Sequence, residues 1–586
     1  MIVYVNNKEK WERVDCDEPT LDTPITTIEN DDDFIISIVN TFKMKGCSIV
    51  IYIDKLTTIE EVVEGILQNL EFKPIVLNKD EKLQPGYFTY LGNATAWYGF
   101  DIKWSKSKTI HIRDLNKVTN LTDKDTEKLI EKFDLGNNSY TLSIVNFLYN
   151  LNKITCEEKN VKYLTKNPIS LSQYVDSVFK KTVNRKNSDL FINSMTTIEG
   201  VDIESTIRES YNGGFIWYKY YQPYDTHAHG YVLDVNAMYT YSMLKEMPCG
   251  GMGYCKGMPD DITKAYFYIY YRVKVDIEIK EIPFLRVKRN DVETKDGLLL
   301  DTHGKKIELV LNQSDFDLMY ANYTIKSIEY IDYIYFDKRE DKQLKKYCYH
   351  FNNLKTNSVG IDRELYKYFE NIIYGNWAKS IEYTTTIIKD DYTHDYKLGK
   401  RKYSTIQIGS AISGYARKYL YDLFNAYKSM WLYSDTDCAH LITETIPEDL
   451  QGIIGTEMGQ LKVEAEFQRA AYFGKKKYIL QLMNGSFKVC CAGLPYLGRK
   501  LFVKLLELYM TDETEYADID FKLLLKEFNI TKQEDIEMVV KLKNQIKKAY
   551  AENDWALLSG CQIPGISTRR IEDSIFFEQY IEYFTL

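Results

Sequence analysis

The chain has 586 residues, 45% of them hydrophobic and 27% charged, with a formal net charge of −9 at pH 7. That length exceeds a single hydrophobic core and predicts several domains or subdomains, and the composition excludes a disordered or fibrous chain. The negative balance argues against a protein that coats nucleic acid by charge alone, although base gathers in Lys397–Lys402, Lys475–Lys477 and Lys541–Lys548. Local patches of this kind bind phosphate whatever the total charge, while the last run reads equally well as a solvated helix face.

The N-terminus, MIVYVNNKEKWERVD, turns charged too early for a secretory signal, and no run of 18 apolar residues predicts a membrane span. Ten cysteines without a CxxC pair predict neither a zinc site nor a disulfide framework, which fits a reducing cytosol. Over the first 180 residues, apolar runs such as CSIVIYI (47–53) alternate with helical patterns such as IEEVVEGILQNL (59–70), an α/β reading. YVLDVNAMY (231–239) places Asp234 at the end of an apolar strand, where a tight turn adds a backbone carbonyl at Val235, and Tyr239 opens the following helix. Residues 265–336 are strand-rich. GIDRELYKYFENIIY (360–374) predicts one amphipathic helix stopped by Gly375. Arg363, Lys367, Asn371 and Tyr374 follow at i, i+4, i+8 and i+11, so one face carries two cations, an amide and a phenol. Such a face suits a triphosphate and a base pair, though two bases on a helix are as often merely solvated.

A second strand-rich insertion follows near 380–407. WLYSDTDCAHL (431–441) then sets two carboxylates in an apolar, strand-forming run. Strand alternation predicts that Asp435 and Asp437 project together with Tyr433. Adjacent carboxylates repel unless a cation lies between them, and oxygen ligands favour Mg²⁺. A lone DTD is also what a surface turn would show. GKKKY (474–478) puts Lys476 and Tyr478 near a strand end, a pattern suited to a phosphate backbone or to an exposed turn. After 495 the pattern is mainly helical. No Pro/Gly/Ser-rich linker separates these pieces, which predicts subdomains around a shared cleft.

In this order the motifs resemble those of family B DNA polymerases, and more narrowly the protein-primed polymerases of small tailed bacteriophages. DVNAMYT is similar to motif A (DxxSLYP) at Asp234 and Tyr239, with Ala237 and Thr240 departing from it. KYFENIIYG is similar to motif B (KxxxNSxYG) at Lys367, Asn371, Tyr374 and Gly375, with Ile372 for Ser. YSDTDC is similar to motif C (YxDTDS), with Cys438 in the last place, and Lys476 with Tyr478 resembles KxY. YNGGF (Tyr211–Phe215) is like the YxGG element, contributing Tyr211, Gly213 and Gly214. MGQLKVE (Met458–Glu464) and YARK (Tyr415–Lys418) fall where the family has related segments.

The resemblance implies a multidomain α+β and α/β fold: a right-hand polymerase of palm, fingers and thumb with two insertions and an N-terminal ribonuclease H-like, exonuclease-type domain. The expected division is 1–186 exonuclease-like, 187–254 first palm part, 255–341 and 380–402 terminal-protein-region-like insertions, 342–379 fingers, 403–495 second palm part, and 496–586 an extended helical thumb. It implies two Mg²⁺ ions, with Mn²⁺ able to substitute, held by Asp234, Asp437 and the Val235 carbonyl with Asp435 in support. Two metals about 3.5–4 Å apart activate a hydroxyl and stabilise leaving pyrophosphate. Arg363 and Lys367 are expected to neutralise the triphosphate, Tyr239 to exclude a 2′-hydroxyl, Tyr374 to pack on the nascent pair, and Lys476 and Tyr478 to hold the primer. The implied partners are DNA template and primer, dNTPs and a terminal protein, with a monomer in the cytoplasm, that of a host cell if phage-encoded, and no membrane. The second insertion is short, so polymerisation is implied more firmly than strand displacement.

The N-terminal part departs from the family. AWYGFDIKWSKSKTIHIRDL (96–115) resembles a core segment of the proofreading domain. Its acids are not matched: IDKLTT puts Thr58, and YLTKN puts Asn167, where metal-binding aspartates are expected, and DCDEP (15–19) is the sole candidate for the first motif. The expectation is an exonuclease-type fold with weak or lost 3′→5′ activity. Two other function classes stay open: a polymerase extending nucleic-acid primers or needing none, and a non-catalytic DNA-binding scaffold. The retention of Asp234, Asp435 and Asp437 weighs against the scaffold.

Overall fold

The computed structural model describes residues 1–566 apart from 8–9, 45–47, 55–66, 68–69, 76, 78–80, 94–95, 120–125, 134, 137–138, 163, 165–167, 183–189, 221, 389–393 and 511–516. The helix expected at 59–70, apart from Leu67 and Leu70, and the positions Thr58 and Asn167 lie outside the described residues.

The N-terminal apolar runs form a mixed sheet. Its strands are β1 (Ile2–Asn7), β2 (Lys10–Asp15), β3 (Thr26–Ile28), β4 (Ile49–Ile53), β5 (Lys73–Pro74), β6 (Tyr87–Asn93), β7 (Ala96–Lys103) and β8 (Thr109–Asp114), in the order 3-2-1-4-8-7-6-5. β1, β4 and β8 run parallel at the centre. Val3 and Val5 enter one core and Ile2 and Tyr4 the other, so both faces are covered, which is why these strands read as continuous apolar runs. Helix α1 (Tyr140–Lys159), capped by the Ser139 side chain, buries Leu148 and Leu151 in the first of these cores.

Asp15 ends β2 opposite Ile2, at the start of β1, and pairs with Arg13. The buried acids of this sheet are Asp54 and Asp114, which follow and end the parallel strands β4 and β8. Asp114 caps the next turn, accepting from the Asn116 N–H at 2.8 Å.

A second, antiparallel sheet lies at the centre of the molecule. It uses β9 (Phe215–Tyr218) and β10 (Gly230–Val235), which leads into helix α2 (Met238–Met243). The first insertion then departs as β11 (Phe267–Ile279), helix α3 (Gln313–Asn322) and β12 (Tyr323–Arg339), with β11 and β12 paired along their length apart from two register shifts. Helices α4 (Lys342–Asn357) and α5 (Gly360–Trp377) follow, with Phe351 and Phe369 stacked at 5.2 Å between them. Helix α5 runs past Gly375 rather than stopping there, because Trp377 is buried against Phe179. Tertiary burial of the last turn outweighs the roughly 1 kcal/mol helix penalty of glycine.

The second insertion is a single hairpin, β13 (Glu382–Ile388) with β14 (His394–Lys400), and β13 lies beside β6 of the N-terminal sheet. Helix α6 (Ile406–Phe424) supports the central sheet through Ala416, Leu420 and Phe424. β15 (Trp431–Thr436), β16 (Cys438–Ile442), β17 (Leu461–Gly474), β18 (Lys477–Leu482) and β19 (Phe487–Cys491) complete the sheet in the order 9-15-16-10-17-18-19. C-terminal helices, including Tyr496–Tyr509 and Gln533–Ala551, share a core with Ala471, Ile479 and Phe487 of the central sheet. In the latter Leu542 and Ile546 are buried while Lys541, Lys547 and Lys548 are exposed, the solvated-face arrangement. No helix among the described residues is long and apolar enough to cross a membrane.

Candidate active site

Strand pairing brings the acids together. Asp234, next to last in β10, pairs with Cys438, the first residue of β16. The Val235 N–H donates to the Asp437 carbonyl at 2.8 Å, which holds the two chain segments side by side. The turn carrying Asp437 is not a pleated strand. Thr436 has φ 67° and the Asp437 N–H donates to the Asp435 carbonyl at 2.8 Å, the pattern of a strained γ-turn. The expectation of a shared strand face for Asp435 and Asp437 is therefore corrected: a three-residue turn sets their relative directions.

The electrostatics follow from crowding. Burial pushes the Asp437 carboxyl up to about 7, and Asp234 and then Asp435 add to the rise. Burial also raises Asp234, against the pull of Lys462, whose Nζ sits 2.8 Å from Asp234 Oδ2. Lys476 Nζ lies 3.3 Å from Asp435 Oδ1. An all-oxygen donor set suits a hard divalent cation. Such an ion would relieve the crowding of Asp234 and Asp435 that adds to the effect of burial on Asp437. The donor chemistry of the residues present therefore suits a hard divalent cation.

Helix α5 presents Arg363, Lys367 and Asn371 as exposed residues on one face, while Leu365, Phe369 and Ile373 are buried. Burial lowers the Lys367 ammonium; the cations Lys132, Arg363 and Lys462 add to that shift and Glu364 opposes it. Lys462 of the central sheet thus lies within electrostatic reach of the helix face. Lys132 is itself ion-paired to Glu364 at 2.5 Å, which ties the N-terminal region to α5. The Tyr374 ring stacks on Tyr239, with centroids 4.0 Å apart and planes at 10°, and the Tyr211 hydroxyl is 3.3 Å from that of Tyr374. A Cβ at Gly214 would meet Thr436 Cγ2 at 2.7 Å and the Tyr239 hydroxyl at 2.9 Å. Gly213 and Asn212 offer their carbonyls to Arg417 at 2.7 and 2.8 Å.

Lys476 takes a left-handed backbone (φ 55°) in the β17–β18 turn, and its N–H donates to the Tyr433 hydroxyl at 2.9 Å. Tyr478 is only 9% exposed and packs edge-on to Tyr433 and His440. Asp234, Val235, Tyr239, Asp435, Asp437, Lys476 and Tyr478 thus lie on or beside one end of the central sheet, Arg363, Lys367, Asn371 and Tyr374 on α5, and Tyr211, Gly213 and Gly214 in the 211–214 segment. The reading missed Lys462, Arg417 and Lys132 as individual residues. Lys462 and Arg417 stand in segments already quoted, but only strand register and helix packing reveal what they face.

One end of a sheet bearing three acids, faced by a helix bearing cations, is an arrangement that fits a right-hand polymerase fold. The chain belongs to the DNA polymerases of type B, organellar and viral, whose family pattern matches residues 126–419, half of its length. It is 27% identical over 301 residues to a DNA polymerase of Bacillus phage Nf, covering 49% of this chain and 52% of that protein. With the DNA polymerase of Bacillus phage phi29 the identity is 26% over 318 residues, covering 50% and 55%. The chain spans about half the length of the curated relatives it matches. The fold is also that of the solved phi29 DNA polymerase complexed with primer-template DNA and incoming nucleotide substrates. That match has a TM-score of 0.66 and 19% identity, and covers 85% of this chain and 93% of the other.

Proposed function

We propose that the chain is a template-directed DNA polymerase that adds deoxynucleotides to a 3′-hydroxyl and initiates replication of a phage or mobile-element genome from a terminal protein. The observation that carries this reading is the convergence of Asp234, Asp435 and Asp437 at one sheet edge, with the cationic face of α5 within electrostatic reach. The names of its relatives and the primer-template complex of similar fold support it.

Asp234, Asp437 and the Val235 carbonyl would hold two Mg²⁺ ions, with Asp435 in support and Mn²⁺ able to substitute. When bound, the ions supply activation of the primer hydroxyl and stabilisation of the leaving pyrophosphate. The remaining roles belong to the chain's own side chains. Arg363 and Lys367 neutralise the triphosphate, with Asn371 beside them on the same face. Tyr239 lies under the sugar and excludes a 2′-hydroxyl, and Tyr374 packs on the nascent pair. Lys476 and Tyr478 steady the primer end, and Tyr211, Gly213 and Gly214 follow the DNA between the two lobes. The insertions at 255–341 and 380–402 serve the terminal protein and the duplex. Proofreading is weak or lost; the placement of Asp15 at the start of β1, away from Asp54 and Asp114, supports that reading.

The test is to incubate the protein with Mg²⁺, labelled dNTPs and a candidate terminal protein from the same genome. A nucleotide attached covalently to that protein is expected. Extension of oligonucleotide primers alone would favour the nucleic-acid-primed reading instead. Asp437→Ala should lower incorporation by at least about 100-fold, and undiminished activity would defeat the assignment. Degradation of a labelled mismatched primer by wild type and Asp437→Ala alike would defeat the loss of proofreading.

A further inference from the structure

Lys462 is a cation of the centre that none of these roles uses. It stands directly across the ladder from Asp234, on the neighbouring strand β17, with its Nζ 2.8 Å from Asp234 Oδ2. The side chain is 49% exposed, so it is not a packing residue. Its ammonium reaches over the sheet edge among Asp234, Glu464 and Asp437, and Lys367 of α5 feels its charge. It therefore sits between the acids expected to hold metal and the cations expected to hold phosphate. A primary ammonium on a flexible stem exchanges anionic partners readily, since it needs no fixed bidentate geometry.

We propose that Lys462 is a switching counter-ion: it neutralises Asp234 before a divalent cation binds, then turns to the triphosphate of the incoming nucleotide. The inference rests on the reading of Asp234 as a metal ligand. It has two consequences of opposite sign. Lys462 holds down metal affinity in the absence of nucleotide, because the ion must displace it, and it raises nucleotide affinity once displaced. A static ion pair would also hold down metal affinity but would not raise nucleotide affinity, so the nucleotide KM separates the two.

Binding of Mn²⁺ without nucleotide, read from the electron paramagnetic resonance of free Mn²⁺, tests the first consequence without relying on turnover. Lys462→Ala should bind Mn²⁺ about three- to tenfold more tightly than wild type. In steady-state incorporation its KM for nucleotide should rise about tenfold, with kcat within about twofold. Lys462→Met, which keeps the apolar stem, should behave alike, and Lys462→Arg should stay near wild type in KM. Unchanged or weaker Mn²⁺ binding by both Lys462→Ala and Lys462→Met, with a lowered unfolding temperature, would overturn the proposal, and so would an unchanged nucleotide KM, the mark of a static ion pair. If Asp234→Ala binds Mn²⁺ as wild type does, the metal reading of the site falls, and the role of Lys462 with it.

Discussion

Gly214 shows how an absent side chain shapes the site. Its missing Cβ leaves room for Thr436, at the centre of the γ-turn, and for the Tyr239 hydroxyl. A methyl group there is backed by a backbone held through Arg417, so the neighbours must move rather than the glycine. Gly214→Ala should therefore displace Tyr239 or the turn carrying Asp437, lowering incorporation by about tenfold or more while costing about 1–3 kcal/mol of stability. Primer-extension rates together with thermal unfolding check this, and an active variant of normal rate would show the contact to be slack. The same scale explains why YNGGF in sequence resembles the YxGG element without showing what each glycine does. Which of the two glycines is required depends on what approaches it.

At the scale of elements, a buried ion pair fastens the first insertion to the central sheet. Arg417 on α6 makes two hydrogen bonds to Asp315 of α3, at 2.7 and 2.6 Å, and also holds the Asn212 and Gly213 carbonyls. Asn312 joins through Asp315 and Ser410. Both charges are 3% exposed, so removing one strands the other in a low-dielectric interior. Asp315→Ala should cost about 3–5 kcal/mol, measured by denaturant unfolding, and should loosen the 211–214 segment. A cost below about 1 kcal/mol would mean that water replaces the carboxylate. Helix α5 is built on the other logic: Leu365, Phe369 and Ile373 are buried on one side, leaving Arg363, Lys367 and Asn371 outside. That face was legible because its spacing is local. The extension to Trp377 was not, because the contacts that hold it, with Phe179, Ser172 and Thr405, come from distant segments.

For the whole molecule, the N-terminal sheet carries a pH dependence separate from the active centre. Burial pushes the Asp114 carboxyl up to about 6, the Asn116 and Lys117 N–H groups pull it down, and Asp54 adds to the rise. The native state thus keeps a proton that the unfolded chain loses near pH 4. This group's effect is to lower stability as pH rises from about 4 to about 6, and the full cost is present above that window. Asp114→Asn keeps an acceptor for Asn116 while removing the charge. Its stability advantage over wild type should grow across the window to about 2–3 kcal/mol, read from thermal unfolding between pH 4 and pH 8. A constant difference would show that the carboxyl titrates normally.

By itself the sequence supplied the candidate residues of the centre and their order along the chain. Asp234, the Lys367 helix, the Asp435–Asp437 turn and Lys476 were each weak alone and specific together, because residue type and local spacing carry that information. The tertiary structure alone decided what lies across a strand ladder or a domain boundary. It replaced strand alternation by a γ-turn at Thr436, set Asp15 opposite the start of β1, and set Lys462 on Asp234 and Arg417 on Asp315. Register and packing join residues about a hundred or more positions apart. No periodicity within a short window can specify such a pairing, since its energy exists only once the sheet has formed.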